Sequence, residues 1–141
     1  MIARPVGRRA VATVLVIAAL APACDFLRPA PAPTVPPDAS VATWVIDPDA
    51  PPIGFDATAF AALVTERACT GARSIDGLIL PAVIEYEDRE IVVRMFVEPL
   101  APGFYNCPGN PPSRFVIQLE QPVRGRTLVD GNAQGGQPTA P

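Results

Sequence analysis

Short β-branched runs separated by Gly and Pro fill the middle of this chain, and that pattern favours strands over helices. Nineteen prolines and ten glycines are spread over 141 residues. Gly71, Gly77, Pro99, Pro102-Gly103 and Pro108-Gly109 fall where one run stops and another starts. Leu80 to Tyr86 is an apolar run, Glu87-Asp88-Arg89-Glu90 a polar turn, and Ile91 to Val97 a second run. The pair reads as a β-hairpin. Phe115-Val116-Ile117-Gln118-Leu119 reads as a further strand with Phe115, Ile117 and Leu119 on one face. Ala42 to Ile46 fits a first strand and Arg126 to Val129 a short last one.

One stretch admits two readings. Asp56 suits an N-cap, and Phe60, Leu63 and Val64 fit a helical stripe through Ala57 to Ala68. The same residues also read as a strand running into Cys69. The surrounding β pattern favours the strand. The expected fold is therefore all-β: a small antiparallel sandwich or partial barrel with one disulfide. The alternative is α+β, with a short helix near residues 57–67.

The flanks set the compartment. Arg4, Arg8 and Arg9 precede an uncharged, largely apolar stretch from Ala10 to Ala23. A basic end, a short apolar segment and small residues before a cut are the parts of an export signal. The stretch is shorter than the roughly 20 apolar residues a membrane span needs. Cleavage after Ala21-Pro22-Ala23 leaves Cys24 as the first mature residue. That arrangement resembles bacterial lipoproteins, in which this thiol carries a diacylglyceryl group, and it gives an otherwise odd cysteine a purpose. A plain secreted chain starting with a free thiol is the alternative. Asp25 to Asp38 contains five prolines and reads as an extended spacer. The expected organisation is a signal peptide over residues 1–23, a Pro-rich tether over 24–40, a β domain over 41–130 and a disordered tail over 131–141.

Charge and absent residues narrow the chemistry. Without the three leader arginines, eight basic and 14 acidic residues remain, near −6. An acidic surface is a poor match for nucleic acid, which needs a basic stripe to meet phosphates. Membrane contact would run through a lipid on Cys24. There is no His and no Lys. Their absence removes Ser-His-Asp and Cys-His catalysis, imidazole metal sites, Schiff bases and Walker-type lysines. Ser40, Ser74 and Ser113 are the only serines, and none lies in a nucleophile elbow. No cofactor motif is present, which leaves carboxylate chemistry as the main enzymatic route.

In an exported domain Cys69 and Cys107 are most simply a disulfide. A thiolate site is the alternative, but no cationic helper lies nearby in sequence. Three acidic or mixed clusters need weighing. Glu85, Glu87, Asp88 and Glu90 surround the hairpin turn, where solvated acids are ordinary. Asp47, Asp49 and Asp56 offer oxygen ligands for calcium, without the spacing of an EF-hand. Arg124, Arg126 and Asp130 read as a local ion pair closing the last strand, or as an anion site. The stretch Tyr105-Asn106-Cys107-Pro108-Gly109-Asn110-Pro111-Pro112, preceded by Phe104, is the most distinctive. A proline-rich loop pinned by a disulfide and carrying two aromatics suits recognition. Phe104, Tyr105, Asn106 and Asn110 are its candidate contact residues. The structural reading of the same loop has Gly109 and Asn110 making a turn and the aromatics packed on the core.

Cys69-Thr70-Gly71, Cys107-Pro-Gly-Asn110 and the terminal run Pro122 to Gly131 together resemble a group of small exported proteins and lipoproteins of high-GC bacteria. The resemblance covers roughly Thr65 to Gly131. It implies a fold unit and a compartment, with no established activity. The expected function is a non-enzymatic cell-envelope module acting by surface contacts with an envelope or extracellular protein. A small-ligand or ion-binding domain and a carboxylate-based hydrolase are the alternatives.

Overall fold

The computed structural model describes residues 33–133. The export segment, Cys24 and most of the tether lie outside the described residues, as does the tail beyond Ala133. The described residues form six strands and no helix: β1 (Ser40–Ile46), β2 (Ala59–Glu66), β3 (Val83–Tyr86), β4 (Glu90–Val97), β5 (Ser113–Gln118) and β6 (Thr127–Asp130). They make one open sheet in the order β3-β4-β1-β2-β5, with β6 paired to β4 off that path. All pairings are antiparallel except β4 with β6, which is parallel.

The ambiguous stretch is a strand. In β2, Phe60, Ala62, Val64 and Glu66 are buried and the residues between them half-buried. That is a period of two, which a pleated strand imposes. A helix would have turned Leu63 inward with Phe60 and Val64. Here Leu63 instead faces outward, opposite Val45 on one side and Arg114 on the other.

The hairpin β3–β4 closes through Glu87 N–H donating to Glu90 O at 2.9 Å. Its first strand is shorter than expected, because Pro81 has no N–H to give to a ladder. Upstream of that proline, the Ile79 bridge to Val97, the Leu80 N–H to Phe96 O and the Glu98 N–H to Leu78 O continue the pairing.

The eight residues of β4 organise the fold. One edge pairs with β3. The other edge is divided lengthwise: Glu90 to Val93 take β6, and Met95 to Val97 take β1. Ile91, Val93, Met95 and Val97 are fully buried. They pack with Trp44, Phe60, Val64, Ile117 and Leu128 in one core. Trp44 and Phe60 meet with ring centroids 5.4 Å apart at 49°, a tilted contact favoured by the ring quadrupoles.

The division of the β4 edge leaves a gap, which the segment after β6 fills. Continuing the β1–β4 register would set Trp44 against Val93. Instead Trp44 N–H donates to Asp130 Oδ2 at 3.0 Å, and the indole Nε1–H donates to Val93 O at 3.0 Å. Asp130 Oδ1 also accepts from Asn132 N at 2.9 Å. The Asn132 side-chain amide donates to Ala42 O and Met95 O, at 3.0 and 2.7 Å. Gly131 N–H reaches Val93 O. A Cβ at Gly131 would sit 2.7 Å from Arg94 Cγ and 2.8 Å from Val92 Cγ1, so no side chain fits there. Asp130, Gly131 and Asn132 form a wedge between β1 and β4, and the ordered domain extends past the expected boundary at residue 130.

Candidate functional site

The expected pairing is present: Cys69 and Cys107 form a disulfide with Cα atoms 4.6 Å apart, closing a separation of 38 residues. Such a bond points to an oxidising compartment. Both cysteines lie at the surface. In the chain-entropy picture the closed loop contributes about 4 kcal/mol.

The bond does not act alone. Asn110, expected as a contact residue, is turned inward. Its amide Nδ2 donates to Glu66 O and Ala68 O, both at 2.7 Å, and its Oδ1 accepts from Thr70 Oγ1 at 2.6 Å. Two main-chain carbonyls at the end of β2 need donors there, and a short amide after a positive-φ glycine (Gly109, φ 91°) is placed to supply them. Gly71 N–H donates to Asn106 O at 3.0 Å, so Asn106 is also tied down through its backbone. Gly71 and Ala72 both have positive φ, 66° and 59°. For alanine that conformation costs of the order of 1 kcal/mol.

Beneath the loop, the buried Glu66 carboxylate is held by Arg73 at 2.9 and 2.7 Å, and Arg73 also donates to Glu98 O at 2.8 Å. The fork-shaped pairing satisfies both carboxylate oxygens. Hydrogen bonding to Glu66 holds the Arg73 guanidinium above its ordinary range, against the opposing effect of burial.

Above this base the aromatics diverge. Tyr105 folds back, its hydroxyl donating to Ala101 O at 2.8 Å and its ring lying against Gly103. Phe104 is fully exposed, at 108% of its reference area. Neither ring joins the core cluster. The structural reading of this loop is thus replaced on both counts: Asn110 fastens the end of β2 rather than making a local turn, and neither aromatic packs on the core. A large apolar side chain is presented to solvent from a loop fastened on three sides.

The other candidates resolve differently. Asp47 is buried, with Oδ2 2.5 Å from Arg114 Nε and Oδ1 accepting from Asp49 N at 3.0 Å. The contact to Arg114 is an ion pair by distance, although its angle makes no hydrogen bond. Asp56 is exposed in the loop before β2. Among the described residues no group of three or more acidic or thiol side chains is placed to hold a metal ion. Glu85 pairs with Arg94 across the hairpin at 2.7 Å, while Glu87, Asp88 and Glu90 are exposed at the turn.

Arg124, Arg126 and Asp130 do not form the expected ion pair. Asp130 is buried in the wedge. Arg126 donates to Val123 O, Pro122 O and Gln121 Oε1, and lies 5.4 Å from the Tyr86 ring centroid. Arg124 and Gly125, at φ 48° and 75°, take the central places of a turn closed by Arg126 N–H to Val123 O. Both positive values fit a type I′ turn. Distance and competing partners explain the failure. Four residues of extended chain separate Arg126 from Asp130 by about 13 Å. Arg126 is taken up by the turn before β6, and the Asp130 carboxylate accepts from Trp44 N–H and Asn132 N–H.

One feature had no counterpart in the sequence reading. Ile46, Ile53, Phe55, Val123 and Leu128 line an apolar cleft of about 340 Å³, and Phe55 is 65% exposed at its rim. An aromatic set in a Pro- and Gly-rich loop, the signal that drew attention to Phe104, is equally present at Pro51-Pro52-Ile53-Gly54-Phe55.

No protein-family model matches this chain, no curated protein matches its sequence, and no solved structure matches its fold.

Proposed function

We propose that this chain is an exported, lipid-anchored, non-enzymatic module of the cell envelope, which acts by surface contact with an envelope or extracellular protein. Phe104 carries the reading. A fully exposed aromatic on a loop fastened by a disulfide, Asn110 and the Glu66–Arg73 pair costs little further ordering when a partner covers it. The engagement of the buried carboxylates supports a non-enzymatic role. Glu66 is held by Arg73, Asp47 by Arg114 and Asp49 N–H, and Asp130 by Trp44 and Asn132. The resemblance of the Cys24 region to lipoproteins supports the anchor. The three motifs that resemble those of small exported proteins have structural duties here: Asn110 and Gly71 fasten the loop, Gly125 makes a turn, and Asp130 and Gly131 build the wedge.

Two measurements test the reading. Phe104→Ala should abolish capture of the partner from envelope extracts and leave the unfolding midpoint unchanged; retained capture would exclude the loop. Intact mass of the processed protein should show a chain starting at Cys24 with added acyl mass in the membrane fraction. An unmodified chain in the medium would refute the anchor.

The cleft beside Phe55 favours a second reading, a binder of small apolar ligands. A thermal-shift series with short aliphatic and aromatic compounds tests it, and an unmoved melting temperature throughout would remove it.

A further inference from the structure

The open edge of β5 is built to pair with another strand. On its inner side β5 meets β2 from Ala59↔Gln118 to Val64↔Ser113, and Leu119 N–H donates to Thr58 O. Antiparallel ladders alternate hydrogen-bonded and free positions. Leu119 therefore sets the phase: Ser113, Phe115 and Ile117 turn their main-chain groups to β2, and Arg114, Val116 and Gln118 turn theirs away. Among the described residues β5 contacts no strand other than β2.

Edge strands are ordinarily protected by Lys, Pro, bulges or very short length. β5 has six residues and none of these devices. Its one charge, on Arg114, is partly neutralised by Asp47 and by Asp49. The outer face beside it is apolar, with Val45 54% and Val116 52% exposed. The opposite edge, β3, differs. It is four residues long, carries Glu85, and runs into Glu87 and Asp88. Two such edges would repel each other.

We propose that β5 pairs with β5 of a second copy of this chain, antiparallel about a two-fold axis through Val116. This register uses every free main-chain group of the strand. Val116 meets the Val116 of the second copy, and Arg114 lies opposite its Gln118. The two arginines stay well apart, so the charge pattern is self-compatible. An isologous contact of this kind closes at two copies. One six-residue edge covers less than the roughly 800 Å² per partner of a standard interface, so the dimer forms with rising concentration rather than permanently.

Sedimentation velocity of the processed protein from about 10 µM to 1 mM tests the pairing across the weak-association range. The wild type should pass from monomer to dimer, and Val116→Lys should remain monomeric with an unchanged unfolding midpoint. Two further variants read the register without disturbing the core. Gln118→Glu should tighten the dimer about fivefold and Gln118→Arg weaken it about fivefold, because each charge is placed twice opposite Arg114. Wild type that stays monomeric at 1 mM overturns the proposal, as does a dimer unaffected by Val116→Lys. So does a monomer whose Val116 and Gln118 amides resist hydrogen exchange, which would put another segment of this chain on the edge.

Discussion

Removing the Asp130 carboxylate should unlatch β1 from β4. In Asp130→Ala two main-chain donors lose a charged acceptor: Trp44 N–H, which is buried, and Asn132 N–H, which is partly buried. Hydrogen bonds to charged groups contribute about 1.5–3 kcal/mol each, and a stranded buried donor carries a desolvation cost of about 1–3 kcal/mol. Water can reach Asn132, so its loss is the smaller. A net destabilisation of about 3 kcal/mol follows, a large share of the roughly 5–10 kcal/mol expected of a domain this size. With a urea slope near 1.5 kcal/mol/M, the midpoint falls by about 2 M. Trp44 is the only tryptophan and sits at the affected contact, so its fluorescence follows unfolding directly. Asp130→Asn keeps one acceptor and should fall between the two. A midpoint shift below about 0.5 M for Asp130→Ala would refute the wedge as the element joining β1 to β4.

Three further outcomes are expected. Arg73→Ala strands the buried Glu66 carboxylate and should cost about 3 kcal/mol by urea unfolding, with much of the loss recovered in the double variant with Glu66→Gln. Asn110→Ala should cost about 2 kcal/mol and make the loop around Cys107 cleave faster under limited proteolysis, because two carbonyls at the end of β2 lose their donor. Ala72→Gly should raise the melting temperature slightly or leave it unchanged, since the native φ of 59° is strained for alanine and free for glycine; a clear loss of stability would contradict that account.

The strands were legible wherever period-two burial is strong. β2 is the clearest instance: tertiary pairing with β1 and β5 settled, in favour of the expected strand, a stretch that also carries a short helical stripe. The disulfide was legible because compartment and cysteine number leave few alternatives. The parallel course of β6 was not, since pairing direction depends on where a distant edge lies open, here the half of β4 that β1 leaves free. Asn110 read as a surface residue because polar loop residues usually are. Only the position of the Glu66 and Ala68 carbonyls makes it a fastener. Asp130 read as a partner for nearby arginines because sequence proximity was the sole guide, whereas its acceptor role belongs to Trp44, 86 residues away. The direction of Phe104 depends on how the fastened loop leaves the sheet, which no local periodicity encodes.

The proposal that the pinned loop is the working surface is most directly tested by site-specific photocrosslinking in producing cells. A photoreactive phenylalanine analogue would replace Phe104, with Phe55 as the comparison site. One discrete adduct at position 104, lost when Cys69 and Cys107 are replaced by Ser, is the expected result. No adduct at 104 together with a discrete one at 55 would contradict it and move the contact surface to the apolar cleft.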